Sequence, residues 1–348
     1  MKVLFLSDFF LSGQTTHVLE LAKQLQFLGT DIHIAFGTIH SKLFRTHYRH
    51  DLARQKLSFS EGAELKKLLS LCHTFKPDLI HSQSSTLFQR AQLLASRIGV
   101  PYILTCHGLG FNHARYRYLF QDAAAVIAIG PNVAQEISHL NPNVTVILNG
   151  VDTHRFHPPT DDTGLRKSII YVGRLEQKRI EPLRHLAQIY TELTKKPLGI
   201  ISNWNPGLPG TRFRPWQADL VPHLQSAGIV AACGRTAREA LSAGNVVLLM
   251  QQAYDGIISP GLVNVPNFDF SGNLGRFSYA QLQSDVKGLL RSNYRLKKLQ
   301  TWGRRYALAH LSSEQMARKT LEVYKKLVIP QKKPHQNRWG FDDNWLGD

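Results

Sequence analysis

Residues 168–194 read SIIYVGRLEQKRIEPLRHLAQIYTELT, in which an apolar run, a short basic loop and a longer amphipathic stretch follow one another. The run at 168–173 is rich in β-branched residues, and the stretch at 181–194 repeats apolar residues at helical spacing. Parallel strands need helical crossovers of this kind between them. The segment therefore predicts one strand–helix unit of a parallel α/β sheet.

Comparable units occur along both halves of the chain. The predicted strands are 2–7, 31–36, 78–81, 101–106, 125–129, 144–148, 168–173, 197–202, 228–232 and 245–250. The predicted helices are 16–28, 86–98, 131–139, 181–194 and 235–243, and the pattern is helical again from 279 to 327. Such alternation gives open parallel sheets with helices on both faces. We therefore predict an α/β protein of two doubly wound, Rossmann-like domains.

The chain length agrees with two domains, because 348 residues are too many for one compact core. We predict a first domain at 1–150, a second at 151–310, a helix at 311–329 and a mobile, proline-punctuated tail at 330–348. The stretch at 154–164 is rich in Pro, Asp and Thr, which is typical of a linker. The apolar start is interrupted by an aspartate, which favours a buried first strand over a secretion signal.

The chain is strongly basic, since 42 Lys and Arg against 25 Asp and Glu give a formal net charge of +17. Such an excess attracts nucleic acid, acidic lipid headgroups or phosphorylated substrates. No zinc-finger or RNA-binding signature is present, which disfavours nucleic acid. No apolar stretch approaches the roughly 18 residues of a membrane-spanning helix. The three separated cysteines suit reduced thiols in a cytoplasm.

The loop at 173–179 follows a predicted strand and carries three basic side chains, Arg174, Lys178 and Arg179. Ligands of open parallel sheets bind at the carboxyl ends of the strands. Arginine binds phosphate oxygens in a bidentate manner and lysine supplies a point charge. We therefore expect this loop to clamp a diphosphate, with an ordinary solvated basic loop as the alternative.

A second basic motif opens the helix predicted at 235–243. Gly234, Arg235 and Thr236 stand at its amino end, where free N–H groups attract an anion. Glu239 lies one turn after Arg235 and could accept hydrogen bonds from a ribose diol. The spacing favours equally an ion pair between Arg235 and Glu239, worth about 0.2–0.5 kcal/mol.

Two further candidates belong to the first domain. Gly13 precedes a helix and would let the backbone approach a ligand, although a plain strand-to-helix turn explains it as well. His107 ends a strand, where it could bind substrate or act as an acid or base; the alternative is a structural histidine. The sequence lacks an Asp-x-Asp metal motif, a Walker loop and a Gly-x-Gly-x-x-Gly fingerprint. We therefore predict no metal site and disfavour a Rossmann dehydrogenase.

Taken in order, these motifs resemble those of GT-B glycosyltransferases, in particular the large retaining group of family-four type that includes bacterial mannosyl- and glucosyltransferases. The most specific part is an Asn-Gly-Val-Asp ahead of a Gly-Arg-Leu, which marks the start of the donor domain in the family. The matching landmarks are Gly13, His17-Val18-x-x-Leu21-Ala22, Thr105-x-His107-Gly108, Asn149-Gly150-Val151-Asp152 with Phe156-x-Pro158, Gly173-Arg174-Leu175 and Glu239-Ala240-x-x-x-Gly244.

The resemblance implies two domains that face a cleft, with the final helices crossing back to the first domain. It implies a UDP- or GDP-sugar as donor, with Arg174 and a following basic residue on the diphosphate and Glu239 on the ribose. Gly13 would meet the phosphate from the other domain, and His107 would be the catalytic residue beside the transferring sugar. No cofactor beyond the nucleotide sugar and no metal ion is expected.

Three departures from the family pattern bear on this reading. Ala231 replaces a glutamate that contacts the donor sugar or the reacting centre. The alternative function is therefore a weak or inactive GT-B protein that binds a nucleotide sugar or glycan as a sensor or partner subunit. The family lysine position, five residues past Arg174, holds Arg179, with Lys178 one short. Only 65 positions separate Arg174 from Glu239, which predicts that the donor domain lacks one strand–helix unit.

The predicted reaction is transfer of a sugar to a lipid-linked or cell-envelope acceptor, by a cytoplasmic protein at the inner face of the membrane. Basic and aromatic residues interleave at 45–56 and 112–120, as they do in interfacial anchors. Ordinary solvated helices explain these segments almost equally well. A nucleic-acid binder and a sugar-nucleotide epimerase of the same fold are further alternatives.

Overall fold

The computed structural model describes residues 1–10, 13–40, 44–160, 164–217 and 219–328, without the side chain of His47. The predicted tail at 330–348 lies outside the described residues. Contacts divide the chain into two compact units. The N-terminal unit comprises Met1–Leu148 together with the chain from Met316, and the C-terminal unit comprises Asn149–Gln315.

A parallel sheet forms the centre of the N-terminal unit. Within the described residues its strands are β1 (Lys2–Phe9), β2 (Asp31–Ile39), β3 (Ser58–Glu61), β4 (Leu79–Ser82), β5 (Tyr102–Cys106), β6 (Ala125–Ala128) and β7 (Val144–Val146). They pair in the order β3-β2-β1-β4-β5-β6-β7, all parallel. All of β1 except Lys2 is buried. Helices cover both faces of such a strand, which explains its uninterrupted apolar run.

The helices of this unit are amphipathic and present their apolar side to the sheet. In the helix Phe88–Ile98, the buried side chains recur at helical spacing, and the helix ends at Gly99 with φ of +67°, a conformation that favours glycine. The helices are α1 (Gly13–Phe27), α2 (Arg49–Arg54), α3 (Leu65–Phe75), α4 (Phe88–Ile98), α5 (Ala114–Asp122) and α6 (Pro131–Ile137), with a π-helical turn at Phe44–Tyr48.

A second sheet forms the C-terminal unit. Its described strands are β8 (Ile169–Val172), β9 (Leu198–Ser202), β10 (Thr211–Pro215), β11 (Ile229–Ala232), β12 (Val246–Met250) and β13 (Tyr254–Ile257). They pair in the order β10-β9-β8-β11-β12-β13, and only the β12–β13 pair of the described chain is antiparallel. The helices are α7 (Ile180–Thr194), α8 (Val221–Ser226), α9 (Gly234–Ser242), α10 (Pro260–Val263), α11 (Tyr279–Arg291) and α12 (Asn293–His310).

The sequence predicts that the C-terminal unit lacks one strand and one helix. The strand, β10, is present and pairs with β9, whereas residues 203–210, which lead into it, contain no helix. Parallel strands ordinarily need a crossover of about a dozen residues or more. The short connection therefore accounts for the reduced spacing between Arg174 and Glu239.

The Asn149–Asp152 motif fastens the start of the C-terminal unit to its end. Val151 pairs with Ser312 as a parallel bridge, and its carbonyl accepts a hydrogen bond from the Ser313 amide at 2.9 Å. A side chain on Gly150 would lie 2.5 Å from the Ser313 Cα, so the close approach of these two segments needs glycine. Asp152 Oδ1 accepts the amides of the next turn, from His154 at 3.0 Å and Arg155 at 2.9 Å.

The stretch at 154–164 was expected to be a linker, and this expectation is wrong for its described part. Phe156 is buried in the C-terminal unit, and its carbonyl accepts hydrogen bonds from Ser242 Oγ at 2.6 Å and Arg304 Nη1 at 2.9 Å. Arg304 Nη1 also donates to the carbonyls of Thr153 at 3.0 Å and Ser242 at 2.8 Å. An arginine bound to several carbonyls turns this polar stretch into part of the fold.

The last described helix, α13 (Ser313–Val328), begins in the C-terminal unit and packs in the N-terminal one. Met316, Ala317 and Tyr324 are buried in the core that also contains the apolar side chains of β1 and α1. The Tyr324 hydroxyl lies 2.5 Å from His81 Nδ1, and His81 Nε2 lies 2.6 Å from Thr105 Oγ1. This polar contact fixes α13 to two adjacent strands of the N-terminal sheet.

Candidate functional site

Basic side chains collect where β8 and β11 end. These two strands are parallel neighbours in the centre of the C-terminal sheet, so the loops that follow them leave the same edge. The loop after β8 carries Arg174, Lys178 and Arg179, and the loop after β11 opens α9 at Gly234. The sheet order therefore brings together the two basic motifs that the sequence analysis singled out.

The loop after β8 is held by a side chain of the neighbouring strand's loop. Leu175 is buried, its amide donates to Asn203 Oδ1 at 2.6 Å, and its carbonyl accepts from Trp204 Nε1 at 3.0 Å. With Leu175 anchored inward, the side chains of Arg174 and Lys178 are exposed. Both cations are thus presented by a fixed backbone rather than by a free loop.

Arg179 differs from Lys178 because its side chain turns inward. It is 12% exposed, donates to the Arg174 carbonyl at 2.8 Å and lies 3.6 Å from Glu176 Oε1. Its charge also acts on Tyr171 of β8, whose pKa burial raises and Arg179 lowers. Arg179 therefore sits at the end of β8 itself, where a bound anion would meet a positioned guanidinium.

The amino end of α9 is open to a ligand. Gly234 adopts φ of +58°, and its amide donates to the Phe270 carbonyl at 2.6 Å. The side chain before it, Cys233, does not cap the helix. First-turn amides have no acceptor inside a helix, so the Arg235 and Thr236 amides are the groups that an anion would meet here.

Arg235 and Glu239 form the ion pair that the sequence analysis gave as the alternative. Arg235 Nε lies 2.8 Å from Glu239 Oε1, and both side chains are nearly buried, at 12% and 8% exposure. Arg235 Nη1 also donates to the Gly150 carbonyl at 3.1 Å, which ties α9 to the Asn149–Asp152 motif. The pair fixes both groups at the helix start, and the contact of Glu239 with a ribose stays a prediction.

Arg238 was missed by the sequence analysis, although it lies on the same helix turn. It is 7% exposed and its guanidinium carbon lies 4.3 Å from the centre of the Phe270 ring. Burial, followed by the charge of Arg235, lowers its pKa to about 10. The available signal was its spacing, because Arg238 shares a helix face with the buried Leu241 and Ser242.

The N-terminal unit carries a different group of polar side chains at its sheet edge. His107 follows β5, and its Nε2 lies 3.0 Å from Gln83 Oε1, which follows the neighbouring strand β4. Because an amide oxygen only accepts hydrogen bonds, Nε2 carries the ring proton and Nδ1 is an acceptor. Burial lowers the pKa of His107 to about 3, so the ring is neutral. The His17 ring packs edge-on against it, with centroids 4.7 Å apart.

The start of α1 lies at this same edge. Gly13 is the first residue of the helix, and the next residue, Gln14, donates through Nε2 to the Gln83 carbonyl at 2.7 Å and to Ser84 Oγ at 2.8 Å. Gln83 was not predicted as a site residue. The polar run that follows a predicted strand at 78–81 was the signal for it. The structure thus places Gly13 and His107 at one sheet edge, around Gln83.

Two kinds of feature are absent from the described ranges. None of their helices has the length and apolar character to cross a bilayer. Within the same ranges, no three His, Cys, Asp or Glu side chains come together as metal ligands.

The comparisons with known proteins agree with this architecture. The family model described as Glycosyltransferase Family 4 matches residues 11–155. No curated protein matches the chain significantly. A glycosyltransferase from Rickettsia africae is 16% identical, with a TM-score of 0.74 over 95% of this chain and 99% of that one. HepE from Anabaena, solved in complex with UDP, is 13% identical, with a TM-score of 0.73 over 94% of this chain and 100% of that one.

A third solved structure, sucrose-phosphate synthase from Thermosynechococcus elongatus, is 14% identical, with a TM-score of 0.67 over 94% of this chain and 99% of that one. At these identities the likeness shows the fold. The chain has two Rossmann-like α/β domains of the GT-B type.

Proposed function

We propose that the chain is a glycosyltransferase that moves a sugar from a nucleotide-diphosphate donor bound by its C-terminal unit. The observation that carries this proposal is the convergence of Arg174, Arg179 and the open amino end of α9 at one sheet edge. Guanidiniums and first-turn amides are the groups that bind diphosphates in proteins. HepE, which shares the fold, was solved with UDP-glucose, and this favours a UDP-sugar over a GDP-sugar.

In this proposal, the positive charge at the sheet edge stabilises the leaving group. When the bond between sugar and diphosphate breaks, negative charge grows on the diphosphate oxygens. Arg179, held by the Arg174 carbonyl and by Glu176, meets that charge without reorganising. Arg174 adds a second, exposed guanidinium, and Lys178 is a peripheral charge. The transfer is metal-independent and retains the configuration of the sugar.

His107 takes part in this reaction as an uncharged imidazole. With a pKa of about 3, its ring carries no charge at neutral pH and has no proton to give as an imidazolium. Nε2 is engaged by Gln83, whereas Nδ1 is buried and has no hydrogen-bond partner among the described residues. We infer that Nδ1 accepts a hydrogen bond from a hydroxyl of the bound sugar. Gly13 contributes the backbone at the amino end of α1.

The proposed acceptor is anionic or lipid-linked and belongs to the cell envelope, with the protein at the cytoplasmic face of the membrane. Exposed basic and apolar side chains of the N-terminal unit support this. On α5, Arg115, Arg117 and Tyr118 are exposed, and Leu109, in the preceding loop, is 67% exposed. Interfacial surfaces combine such cations with amphipathic rings.

A second candidate function is a binding protein without transferase activity. Ala231 is fully buried in β11, in the core of the C-terminal unit, where its methyl group offers no polar atom to a donor sugar. This replacement favours a sensor or partner subunit that holds a nucleotide sugar without transferring it. Slow hydrolysis of the donor separates the two functions, because a transferase loses sugar to water and a binding protein leaves the donor intact.

The test of the leading function combines donor binding with a matched pair of variants. Calorimetry with UDP and GDP, with and without attached sugars, should show micromolar or tighter binding of one base. Arg174→Ala should weaken that binding about 10- to 100-fold, because a charge-assisted hydrogen bond contributes about 1.5–3 kcal/mol. The control is Arg184→Ala, which removes an exposed arginine of α7 that pairs with Glu181.

The two variants separate the clamp from general charge. We expect Arg184→Ala to bind the nucleotide as the wild type does, since its guanidinium lies on the helix rather than in the loop after β8. Equal affinity of Arg174→Ala and wild type would remove Arg174 from the clamp. A wild-type protein that binds none of the nucleotides or their sugars would overturn the donor proposal.

A further inference from the structure

Arg238 is a buried cation that forms no ion pair with any residue the structure describes. The side chain is 7% exposed, and its Nε is buried with no hydrogen-bond partner in the described part of the chain. None of the ion pairs or hydrogen bonds of the described residues involves its guanidinium. Among the charges that act on its pKa, Arg235 has the larger effect and lowers it, and Asp269 raises it without forming an ion pair with it. A buried charge of this kind is strongly destabilising when nothing compensates for it.

The guanidinium is directed toward the amino end of α9. Side chains of a helix tilt toward its start, and two observations agree with that direction. Arg238 stacks on Phe270, the residue whose carbonyl accepts the Gly234 amide. It also lies close enough to Cys233, as Arg179 does, to oppose the raised pKa of that thiol. The helix start, Arg179 and Arg238 therefore surround one position.

A structural role would leave a different pattern, which Arg304 illustrates. Arg304 Nη1 is bound to the carbonyls of Thr153, Phe156 and Ser242, at 2.8–3.0 Å. Arg304 is partly buried and its guanidinium has these acceptors, so it stabilises the unit without a ligand. Arg238 has the burial without the acceptors. The Arg238 guanidinium therefore obtains a hydrogen-bond acceptor only when a ligand supplies one.

We propose that Arg238 is an anion-binding residue, which completes a phosphate site with the first-turn amides of α9. The proposal deepens the donor function and rests on it, because the anion is the diphosphate of the nucleotide sugar. Arg238 supplies the positive charge from beneath the helix start, and Arg174 supplies it from the exposed loop. The aromatic ring of Phe270 holds the planar guanidinium in place when no ligand is bound.

The test uses inorganic pyrophosphate and UDP as probes on the full chain, with Arg238→Met and Arg304→Met as matched variants. Arg238→Met should bind pyrophosphate at least tenfold more weakly, which corresponds to about 1.4 kcal/mol. Without ligand it should melt no lower than the wild type, because an uncompensated charge has been removed. Arg304→Met should show the reverse, with a lower melting temperature and unchanged pyrophosphate affinity. Arg238→Lys, which keeps the charge but not the fork, should bind more weakly than wild type if Arg238→Met does not fold.

Unchanged pyrophosphate affinity in Arg238→Met, or in Arg238→Lys where only that variant folds, overturns the proposal. So does a melting temperature that falls as in Arg304→Met while affinity is retained, because Arg238 is then structural. Failure of the donor function looks different. If the wild type binds pyrophosphate through Arg238 but binds none of the nucleotides, the anion site is supported and the nucleotide-sugar donor is rejected.

Discussion

At the carboxyl edge of the N-terminal sheet the functional candidates are neutral, whereas at the corresponding edge of the C-terminal sheet they are cationic. His81 and His107 are both held neutral by burial, with pKa values lowered to about 3, and their contacts are hydroxyl and amide groups. At the other edge, Arg179, Arg235 and Arg238 are guanidiniums; the first two have a carboxylate within 4 Å, and Arg238 has no ion pair among the described residues. Two sheets of similar topology thus offer different chemistry.

This difference shows how burial acts on each residue type. An imidazole gives up its proton when it is desolvated, because its ordinary pKa lies near neutrality. The neutral ring then makes hydrogen bonds between uncharged groups, as sugar hydroxyls do. A guanidinium keeps its charge, since even a pKa of about 10 leaves Arg238 protonated at pH 7. It must therefore find an anion, and phosphate is the one that a helix start also binds.

The largest expected effect is a loss of stability in acid that originates in the N-terminal unit. His81 is fully buried with a pKa of about 3, against 6.5 in an unfolded chain. Between these values the unfolded chain binds a proton that the folded one does not, so stability falls as the pH drops below 6.5. Each such histidine contributes about 1.4 kcal/mol per pH unit in this range. Calorimetry at pH 5 and pH 7 measures the decrease.

The variant His81→Asn sharpens this result. It removes the titrating group, so the melting temperature should depend less on pH than that of the wild type, whatever its absolute value. His154→Gln, at an exposed position of the C-terminal unit, should keep the wild-type dependence. A His81→Asn protein with the same loss between pH 7 and pH 5 as the wild type would show that the acid sensitivity originates elsewhere.

The next effect concerns His107 and its neutral hydrogen bond. His107→Ala should reduce turnover about 100-fold, in the range found when one preorganised hydrogen bond at a reacting centre is lost. Donor affinity should change less than about threefold, because the proposed clamp lies in the other unit. Steady-state rates and calorimetry on the same samples measure both quantities.

The control for this variant is His113→Ala, an exposed histidine that precedes α5. It should leave turnover unchanged. Because the pKa of His107 is about 3, the wild-type rate should show no step from this group between pH 5 and pH 8. A loss of binding and turnover in equal proportion would make His107 a structural residue and would remove the contrast between the two edges.

Much of the fold follows from the sequence because central parallel strands are apolar on both faces. The strands Lys2–Phe9 and Val246–Met250 are almost wholly buried. The sequence predicts the ends of the first to within two residues and those of the second to within one. The strands Ser58–Glu61 and Thr211–Pro215 were not predicted. Both lie at sheet edges and are half exposed, so they carry polar and basic residues that give no apolar run.

The candidate site was predictable only where it depends on chain order. Arg174 and Gly234 directly follow strands, so the rule for parallel sheets predicted their edge. Gln83 and Arg238 depend on tertiary contacts, namely the ring of His107 on a neighbouring strand and the ring of Phe270 on a distant loop. Tertiary packing decides whether a basic residue on a helix is solvated or buried without a partner. The local spacing of residues in the sequence does not reveal that packing.

A smaller effect is expected from Glu239, which separates its two interpretations. Glu239→Gln should weaken UDP binding about tenfold, because a charged acceptor for the ribose diol becomes neutral. Pyrophosphate, which has no ribose, should bind as before. The matched control is Glu181→Gln, an exposed carboxylate of α7 that pairs with Arg184. Equal losses for UDP and pyrophosphate would assign Glu239 to the ion pair with Arg235 alone.

The smallest effect compares the two basic segments that were proposed to meet a membrane. At 45–56, Arg54 is paired with Asp51 at 2.6 Å and Arg49 approaches Glu61 at 3.9 Å, so part of the charge is already neutralised. On α5, Arg115 and Arg117 are exposed, and neither belongs to an ion pair of the described residues. We therefore expect α5 to provide more of the attraction to an acidic surface.

Sedimentation with vesicles of acidic and of neutral lipid tests this order with two double variants of equal charge change. Arg115→Gln with Arg117→Gln should weaken binding to acidic vesicles more than Arg49→Gln with Arg54→Gln, by about fivefold, since a free cation near the surface contributes about 1 kcal/mol. Both variants should bind UDP as the wild type does. Binding should fade as salt rises, because the Debye length falls from about 10 Å at 0.1 M to about 3 Å at 1 M. Equal weakening by the two variants would reject the preference for α5, and a wild type that never pellets would reject the membrane altogether.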